Sequence, residues 1–375
     1  MAGIYIHIPF CRQACYYCDF HFSTSLSLKE KMVKAIMHEL KMQYEYLSEK
    51  LINTIYFGGG TPSLLSESEL NSILDVIYQN FNVSNNPEIT LEANPDDLSL
   101  EKLKTLKRLG INRLSIGVQS FHEPHLNYLN RIHTSFEATN CINNARLAGF
   151  KNISIDLIYG LPSNNHDIWL NDLDVAIKLN VEHISSYCLT IEEKTVFGNW
   201  VKKGKISSVE DDFSAQQFEI MVDILQDNGF EQYEVSNFSK PELHSQHNSN
   251  YWQQVSYLGV GPGAHSFNGK VRQYNISNNP NYLKAINNNE IPYTLDELSI
   301  NDFINERILI SLRTKWGLDT SILKNHHGYD LLKEKSEYIK QLKNNDMATI
   351  NEGVIILNTK GMLLADHISS ELFID

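Results

Sequence analysis

Three shortages in this 375-residue chain each remove a class of function. No apolar run approaches the roughly 20 residues that a membrane-spanning helix needs, so no such helix is predicted. The opening segment, Met1 to Phe10, has neither the basic start nor the small-residue cleavage site of a secretory signal. A cytoplasmic location is the expectation, with peripheral membrane contact left open. Basic residues are also short, 32 Lys and Arg against 45 Asp and Glu, for a net charge of −13. Phosphate backbones are bound by clustered cations, so nucleic acid is not an expected partner.

Cysteine is the third shortage. There are five, Cys11, Cys15, Cys18, Cys141 and Cys188, and three of them fall within eight residues. A disulfide framework spreads an even number through a short secreted chain, whereas a tight triplet reads as a metal site. Cys141, in a helical stretch, and Cys188, in an apolar strand, read instead as inert core residues. A hydrophobic fraction of 42% with 21% charged residues is ordinary for a soluble globular protein with room for one large α/β domain and a smaller appendage.

Strand-like and helix-like segments alternate through the first two thirds. Strands are predicted at Gly3–Ile8, Asn53–Phe57, Glu88–Glu92, Arg113–Val118, Asn152–Ile158 and His183–Leu189. Helices are predicted at Leu28–Tyr46, Glu67–Tyr78, Leu100–Leu109, Phe136–Ala148, Ile168–Leu179 and Phe213–Asp227, the last opened by the acidic run Glu210-Asp211-Asp212. Six β-then-α units imply a parallel sheet with right-handed crossovers, and a doubly wound sheet and an incomplete barrel both fit. Gly58-Gly59-Gly60-Thr61, Glu92, Gln119 and Asp156 all lie at or near strand C-termini. Residues from so many strands converge more naturally at a barrel mouth, so the expected fold is an incomplete (β/α)6, TIM-like barrel over residues 1–235. Residues 236–298, rich in His, Asn, Tyr and Gly across Glu242–Asn268, read as long connecting loops. Residues 299–375 read as a small α+β, winged-helix-like domain: a helix Phe303–Leu312, a hairpin Met347–Ile350 with Val354–Leu357, and a helix near Met362–Leu372. Helices with a wing can bind DNA, but residues 296–375 hold nine Lys and Arg against thirteen Asp and Glu, which favours a scaffold or lid.

The triplet Cys11-x-x-x-Cys15-x-x-Cys18 directly follows the first strand. Three thiolates on a four-iron cluster leave one iron for an outside ligand. A zinc site would need a fourth ligand, for which His7, His21 or Asp19 is near in sequence. The triplet after a first strand resembles the signature of the radical S-adenosylmethionine (SAM) superfamily. Tyr5-Ile6-His7-Ile8-Pro9-Phe10-Cys11 is similar to the branch holding oxygen-independent coproporphyrinogen III oxidase and its relatives. The resemblance implies a [4Fe–4S] cluster on Cys11, Cys15 and Cys18, and SAM as a second cofactor. It further implies that Tyr17 packs near the adenine, that Tyr5 lines the same site, and that Gly58, Gly59, Gly60 and Thr61 meet the methionine end. Glu92, Gln119, Arg131 and Asp156 match, in order, the family's cofactor-binding set; a carboxylate suits ribose hydroxyls and a guanidinium suits a carboxylate. An electron donor is an implied partner if the cluster is reduced.

Two departures separate the branches. The oxidase motif carries a further cysteine where this chain has Phe20, and the oxidase has an extension ahead of the first strand. Cys18-Asp19-Phe20 and His247-Asn248-Ser249-Asn250-Tyr251-Trp252 instead resemble haem chaperones of the HemW type. That likeness implies haem as cargo, apo-haemoproteins as acceptors, and His247 as a haem-binding residue, with His244 and His265 as nearby competitors. Whether SAM is productively cleaved stays open, and the alternative is a coproporphyrinogen III oxidase.

Overall fold

Alternation within each strand determines how the sheet is clothed. Ile4, Ile6 and Ile8 alternate with Tyr5 and His7, and Leu114, Ile116 and Val118 alternate with Arg113, Ser115 and Gly117. Successive side chains of a strand point to opposite faces. The isoleucine and leucine sets are buried in one large apolar core, against helices on the outer face. In the computed structural model, which describes residues 1–47 and 51–374, six units follow one another. They are β1 (Ala2–Ile8) and α1 (Lys29–Met42), β2 (Leu51–Gly59) and α2 (Glu67–Asn80), and β3 (Asn82–Ala93) and α3 (Leu100–Arg108). After β4 (Arg113–Gln119) come a short α4 (Glu123–Tyr128) and α5 (Ser135–Leu147). Next are β5 (Ile153–Tyr159) and α6 (Asp167–Lys178), then β6 (His183–Cys188) with α7 (Val196–Lys202) and α8 (Asp211–Asp227). Capping boxes at Ser66/Glu69 and Thr134/Glu137 fix the starts of α2 and α5.

The six strands are parallel and lie in sequence order, β1 to β6. Their order never reverses, which is barrel winding rather than the switch point of a doubly wound sheet. The sheet stays open. Beyond β6 lie β8 (Asn237–Ser239) and β7 (Glu231–Glu234), antiparallel. On the other side, β9 (Tyr257–Val260) joins β1 in parallel, followed by β10 (His265–Phe267), β11 (Arg272–Asn275) and β12 (Tyr293–Asp296). The loops expected over Glu242–Asn268 are therefore corrected: α9 (Gln246–Trp252), β9 and β10 lie there. These elements are three to seven residues long, and pairing with distant strands, which local composition does not report, holds the two strands in the sheet.

After α10 (Asn279–Asn287) and α11 (Ile300–Leu312) the chain forms β13 (Leu318–Asp319), α12 (Thr320–His327), α13 (Leu331–Glu334) and α14 (Ser336–Asn344). The hairpin β14 (Ala348–Asn351) and β15 (Val354–Leu357) turns at Glu352 and Gly353, both at positive φ, as a two-residue hairpin turn requires. β13 adds a third antiparallel strand, and α15 (Thr359–Leu363) and α16 (Ala365–Leu372) end the unit. Its buried residues belong to the same continuous core as the helices of the sheet.

Glu39, fully buried on α1, clamps the β9–β10 turn to the barrel. It accepts hydrogen bonds from Gly261 N at 2.8 Å, Asn275 Nδ2 at 2.6 Å, Tyr282 Oη at 2.5 Å and Gln43 Nε2 at 2.8 Å. Glu39→Ala strands four donors in the interior and is expected to cost about 3 kcal/mol or more, read by urea unfolding. Glu39→Gln, which keeps an acceptor, is expected to cost less.

Candidate functional site

The inner face of the sheet is polar. Tyr5 and His7 from β1, Tyr56 from β2, Glu92 from β3, Arg113 and Ser115 from β4, Asp156 from β5 and Ser185 from β6 occupy alternate positions to the apolar outer set. The cysteine loop follows β1 at the C-terminal mouth of the sheet. Its backbone is fastened at several points. Cys11 N donates to Ser23 O (3.1 Å), Tyr16 N to Leu129 O (3.2 Å), and Phe197 N to Tyr16 O (3.0 Å). Gln13 Nε2 donates to Asn130 O, and Asn130 Nδ2 donates back to Ala14 O. Asn130 sits at φ 59°, a left-handed position that asparagine tolerates.

The glycine run packs beside this loop. Gly60 N donates to Ile8 O and Thr61 N to Phe10 O, so the run lies directly against the strand that leads into Cys11. Gly59 has φ 105°, and a Cβ there would fall 2.5 Å from the His7 ring, so only glycine fits. Gly59 N donates to Glu92 Oε2 (3.1 Å), while Tyr56 Oη donates to Glu92 Oε1 (2.7 Å). Burial pushes the Glu92 carboxyl up to about 7, and the neighbouring Asp156 adds to the rise. Asp156 itself is raised to about 6 by burial, against the opposing pull of Arg113, Ser185 and Ser115.

Arg131 reaches across to the cysteines. Its Nη1 lies 3.3 Å from Cys15 Sγ, and its Nη2 donates to Asn94 Oδ1 (2.6 Å) and Gly117 O (2.7 Å). Its buried Nε has no hydrogen-bond partner among the described residues. Gly117 leaves the room for this: a Cβ there would come within 2.9 Å of Gln119 Nε2 and 3.3 Å of Arg131 Nη2. Gln119 is a buried non-glycine residue at φ 70°, where the β4–β5 register slips, and such strain gathers at functional sites. The structure thus brings Cys11, Cys15, Cys18, Gly58 to Thr61, Glu92, Gln119, Arg131 and Asp156 to one mouth. Tyr17 belongs there too, being close enough to the charges of Arg131, Cys15 and Cys18 to feel each of them. Asn94, Asn130, Tyr56 and Arg113 escaped sequence reasoning. The β-period alternation could have flagged Tyr56 and Arg113, but nothing local marks the two asparagines.

Three thiols and a guanidinium suit a thiolate-bound cluster. Cys11, Cys15 and Cys18 are free, half-buried and within one another's electrostatic reach. Burial pushes the Cys18 thiol up to about 11 and raises Cys11 as well, so metal uptake must displace the protons of these two thiols. The cation on Arg131 and its unpartnered Nε offset the negative charge that follows. Among the described residues, no three His, Cys, Asp or Glu side chains converge to hold a single ion. His7 Nε2 is bonded to His21 O, and His21 Nε2 to Asn279 Oδ1, so neither ring is turned to the cysteines.

His247 sits lower in the sheet interior. Glu88 Oε1 accepts from its backbone N–H (3.0 Å), its Nδ1 is 2.8 Å from Thr54 Oγ1, and its Nε2 is 2.9 Å from Tyr251 Oη. The ring stacks on Tyr56 at 5.0 Å and 25°. At 1% exposure, with both nitrogens engaged, it presents no lone pair to solvent. Burial lowers it to about 3, which keeps it neutral. The competitors differ: His244 is half-buried between Glu231 and Lys315, and His265 stacks on Tyr274. Cys141 is buried as expected. Cys188 is not: it is exposed at the end of β6, because the strand ends at the sheet mouth with its last two residues open to solvent.

Residues 5–176 match the family described as Radical SAM superfamily. A protein of Bacillus subtilis named heme chaperone HemW is 35% identical over 98% of both chains. Its namesake in Escherichia coli is 40% identical over 72% of this chain and 70% of its own. The chain belongs to the HemW family of radical SAM proteins. Membership in the superfamily implies a [4Fe–4S] cluster and SAM. The E. coli coproporphyrinogen III oxidase HemN has the same fold, with a TM-score of 0.85 over 99% of this chain and 90% of its own, at 22% identity. The incomplete TIM-like barrel expected of this HemW-family chain is thus borne out. Among its described residues, no helix is long and apolar enough to cross a membrane.

Two outcomes follow for the protein without cofactors. The folded-state pKa of Glu92 exceeds its unfolded value, so its contribution to stability is full below about 4.5 and is lost as pH rises through about 7. Glu92→Gln is therefore expected to be more stable than wild type at pH 8, by about 1 kcal/mol after screening at the open mouth, and to lose that advantage by pH 5. Thermal melts across pH read this directly. His247→Ala removes a stacked ring and takes away the partner of Tyr251 Oη, and is expected to cost about 2–4 kcal/mol in denaturant unfolding.

Proposed function

We propose that this protein is a haem chaperone that carries a [4Fe–4S] cluster on Cys11, Cys15 and Cys18, binds SAM at the sheet mouth, and passes haem to apo-haemoproteins. The observation that carries the reading is the full-length likeness to a protein named heme chaperone, 35% identical with 98% of both chains aligned. The cysteine loop supports it: Phe20, where the oxidase pattern has a further cysteine, is a surface side chain with 73% exposure.

When bound, the cluster supplies one-electron chemistry at an iron that has no protein ligand. The chain's own residues bind and orient. Arg131 holds positive charge against Cys15 Sγ while it is locked by Asn94 and Gly117 O. Glu92, fixed by Tyr56 and Gly59, offers a carboxylate to ribose hydroxyls, and Asp156 faces the same space. The backbone of Gly58 to Thr61 lets a ligand approach closely. Tyr5 and Tyr17 supply aromatic faces for the adenine.

Anaerobic reconstitution followed by haem titration tests the reading. About one haem per chain is expected, with transfer to an apo-haemoprotein on mixing. Replacing the three cysteines with alanine should abolish iron and sulfide incorporation. Wild type that binds no haem, or that converts coproporphyrinogen III to protoporphyrinogen under reducing anaerobic conditions, would overturn it.

A further inference from the structure

The strand that carries Gln119 ends in an uncommon turn. Ser120 N donates to Val118 O at 2.9 Å across Gln119, whose φ is 70°. These three residues therefore form a γ-turn of the rare, strained hand. With the turn in place, the Gln119 side chain lies back over Gly117. Its Nε2 shares the space there with Arg131 Nη2 and Asn94 Oδ1, at the mouth. A strained backbone of this kind persists only where its surroundings over-determine it.

The constraint comes from α6. Asp172, on that helix, is 1% exposed. Its Oδ2 accepts from Ser120 Oγ at 2.5 Å and its Oδ1 from Phe121 N at 2.9 Å. The Ser120 hydroxyl accepts in turn from His122 N at 3.0 Å, so one carboxylate fastens the three residues that follow Gln119. On the other side of the turn, Val118 O is 3.0 Å from His133 Nε2, and Gly117 O accepts from Arg131 Nη2. Gln119 is thus gripped from both sides. Among the described residues no cation pairs with Asp172; burial pushes its carboxyl up to about 6, against the pull of its two donors. An acid buried without a counter-ion is costly, and an apolar side chain would fill the same interior at less cost. The bonds that Asp172 makes go to the residues that set the Gln119 turn.

Building on the reading that SAM binds at this mouth, we propose that Asp172 is a positioning residue for the cofactor: from the helix layer it holds the Gln119 turn in the conformation that presents the carboxamide to SAM. It touches no ligand itself and acts through Ser120 and the Phe121 backbone. Without it, the Ser120 hydroxyl and Phe121 N–H lose their acceptor. The turn then relaxes toward the negative φ that a residue with a side chain prefers, and the carboxamide leaves the mouth.

The test measures SAM affinity of cluster-reconstituted protein by anaerobic equilibrium dialysis, with thermal melts in parallel. The proteins are wild type, Asp172→Ala, Asp172→Asn, Gln119→Ala and the double variant Asp172→Ala with Gln119→Ala. Asp172→Ala is expected to weaken SAM about tenfold, and Gln119→Ala at least as much. Asp172→Asn, whose Oδ1 still accepts from Phe121 N, should weaken it about threefold or less. Once residue 119 is alanine, losing Asp172 should change SAM affinity by less than about twofold, although it still lowers the melting temperature. A merely structural acid would weaken SAM by the same factor in both backgrounds. That result, or wild-type affinity in Asp172→Ala, would overturn the proposal and leave the SAM site standing. If Asp172→Ala does not fold, Ser120→Ala makes the same comparison from the loop side. About threefold weaker SAM is then expected with Gln119 present and no change without it, and equal factors or no loss would overturn the proposal. A wild type that binds no SAM would overturn both the proposal and the cofactor site.

Discussion

The guanidinium of Arg113 is fully buried inside the sheet, and its Nε and Nη1 have no hydrogen-bond partner among the described residues. A charge taken this far from water costs several kcal/mol unless opposite charge sits close by. Glu92 and Asp156 are the carboxylates that feel it, and each is drawn back toward ionisation by it against the cost of its own burial. The inner face of the sheet is in this sense one electrostatic unit. Burial first, and the same cation after it, depress His247 and His183, so both histidines stay neutral. The proposed cofactor site draws its polar groups from this unit, and SAM, itself cationic at sulfur, would meet there carboxylates whose protonation already depends on Arg113.

Much of this arrangement was legible in advance. The six parallel strands follow from period-2 alternation of isoleucine and leucine with polar residues, and each was found within a few residues of its expected bounds, β3 excepted, which starts earlier at Asn82. The polar residues at strand ends pointed to the mouth because position along a parallel strand is a local property of sequence. What stayed hidden depends on distant partners. Tyr257–Val260 becomes a strand because β1 offers it an edge, and His247 is buried because Thr54 and Glu88, about 160–190 residues away, bond to it. Cys188 looked like core because its strand neighbours are apolar, yet the strand ends there and leaves the thiol at the rim of a cavity. Asn94 and Asn130 carry no motif at all, and they matter because each completes a hydrogen bond that Arg131 or the cysteine loop needs.

The cysteine loop is accordingly held from outside itself. Among the described residues, Cys11–Cys18 has one internal backbone bond, Cys18 N to Cys15 O, and the rest of its order comes from Ser23, Leu129–Arg131, the glycine run and Phe197. A loop ordered by borrowed contacts transmits changes at its neighbours to the thiols. The aromatic packing of Tyr16 on Phe197 and Trp200, at 6.0 and 4.9 Å, links the loop to the α7 region in the same way.

The pairing of β9 with β1 bears on how the chain is made. During synthesis from the N-terminus, one edge of the first strand has no partner until Tyr257–Val260 emerges, although β2 covers the other edge much earlier. Closing a contact across some 250 residues is entropically slow. Until it closes, the strand that leads into Cys11 has a bare flank. The nascent chain therefore carries an unpaired edge over that interval, when it most needs protection from aggregation.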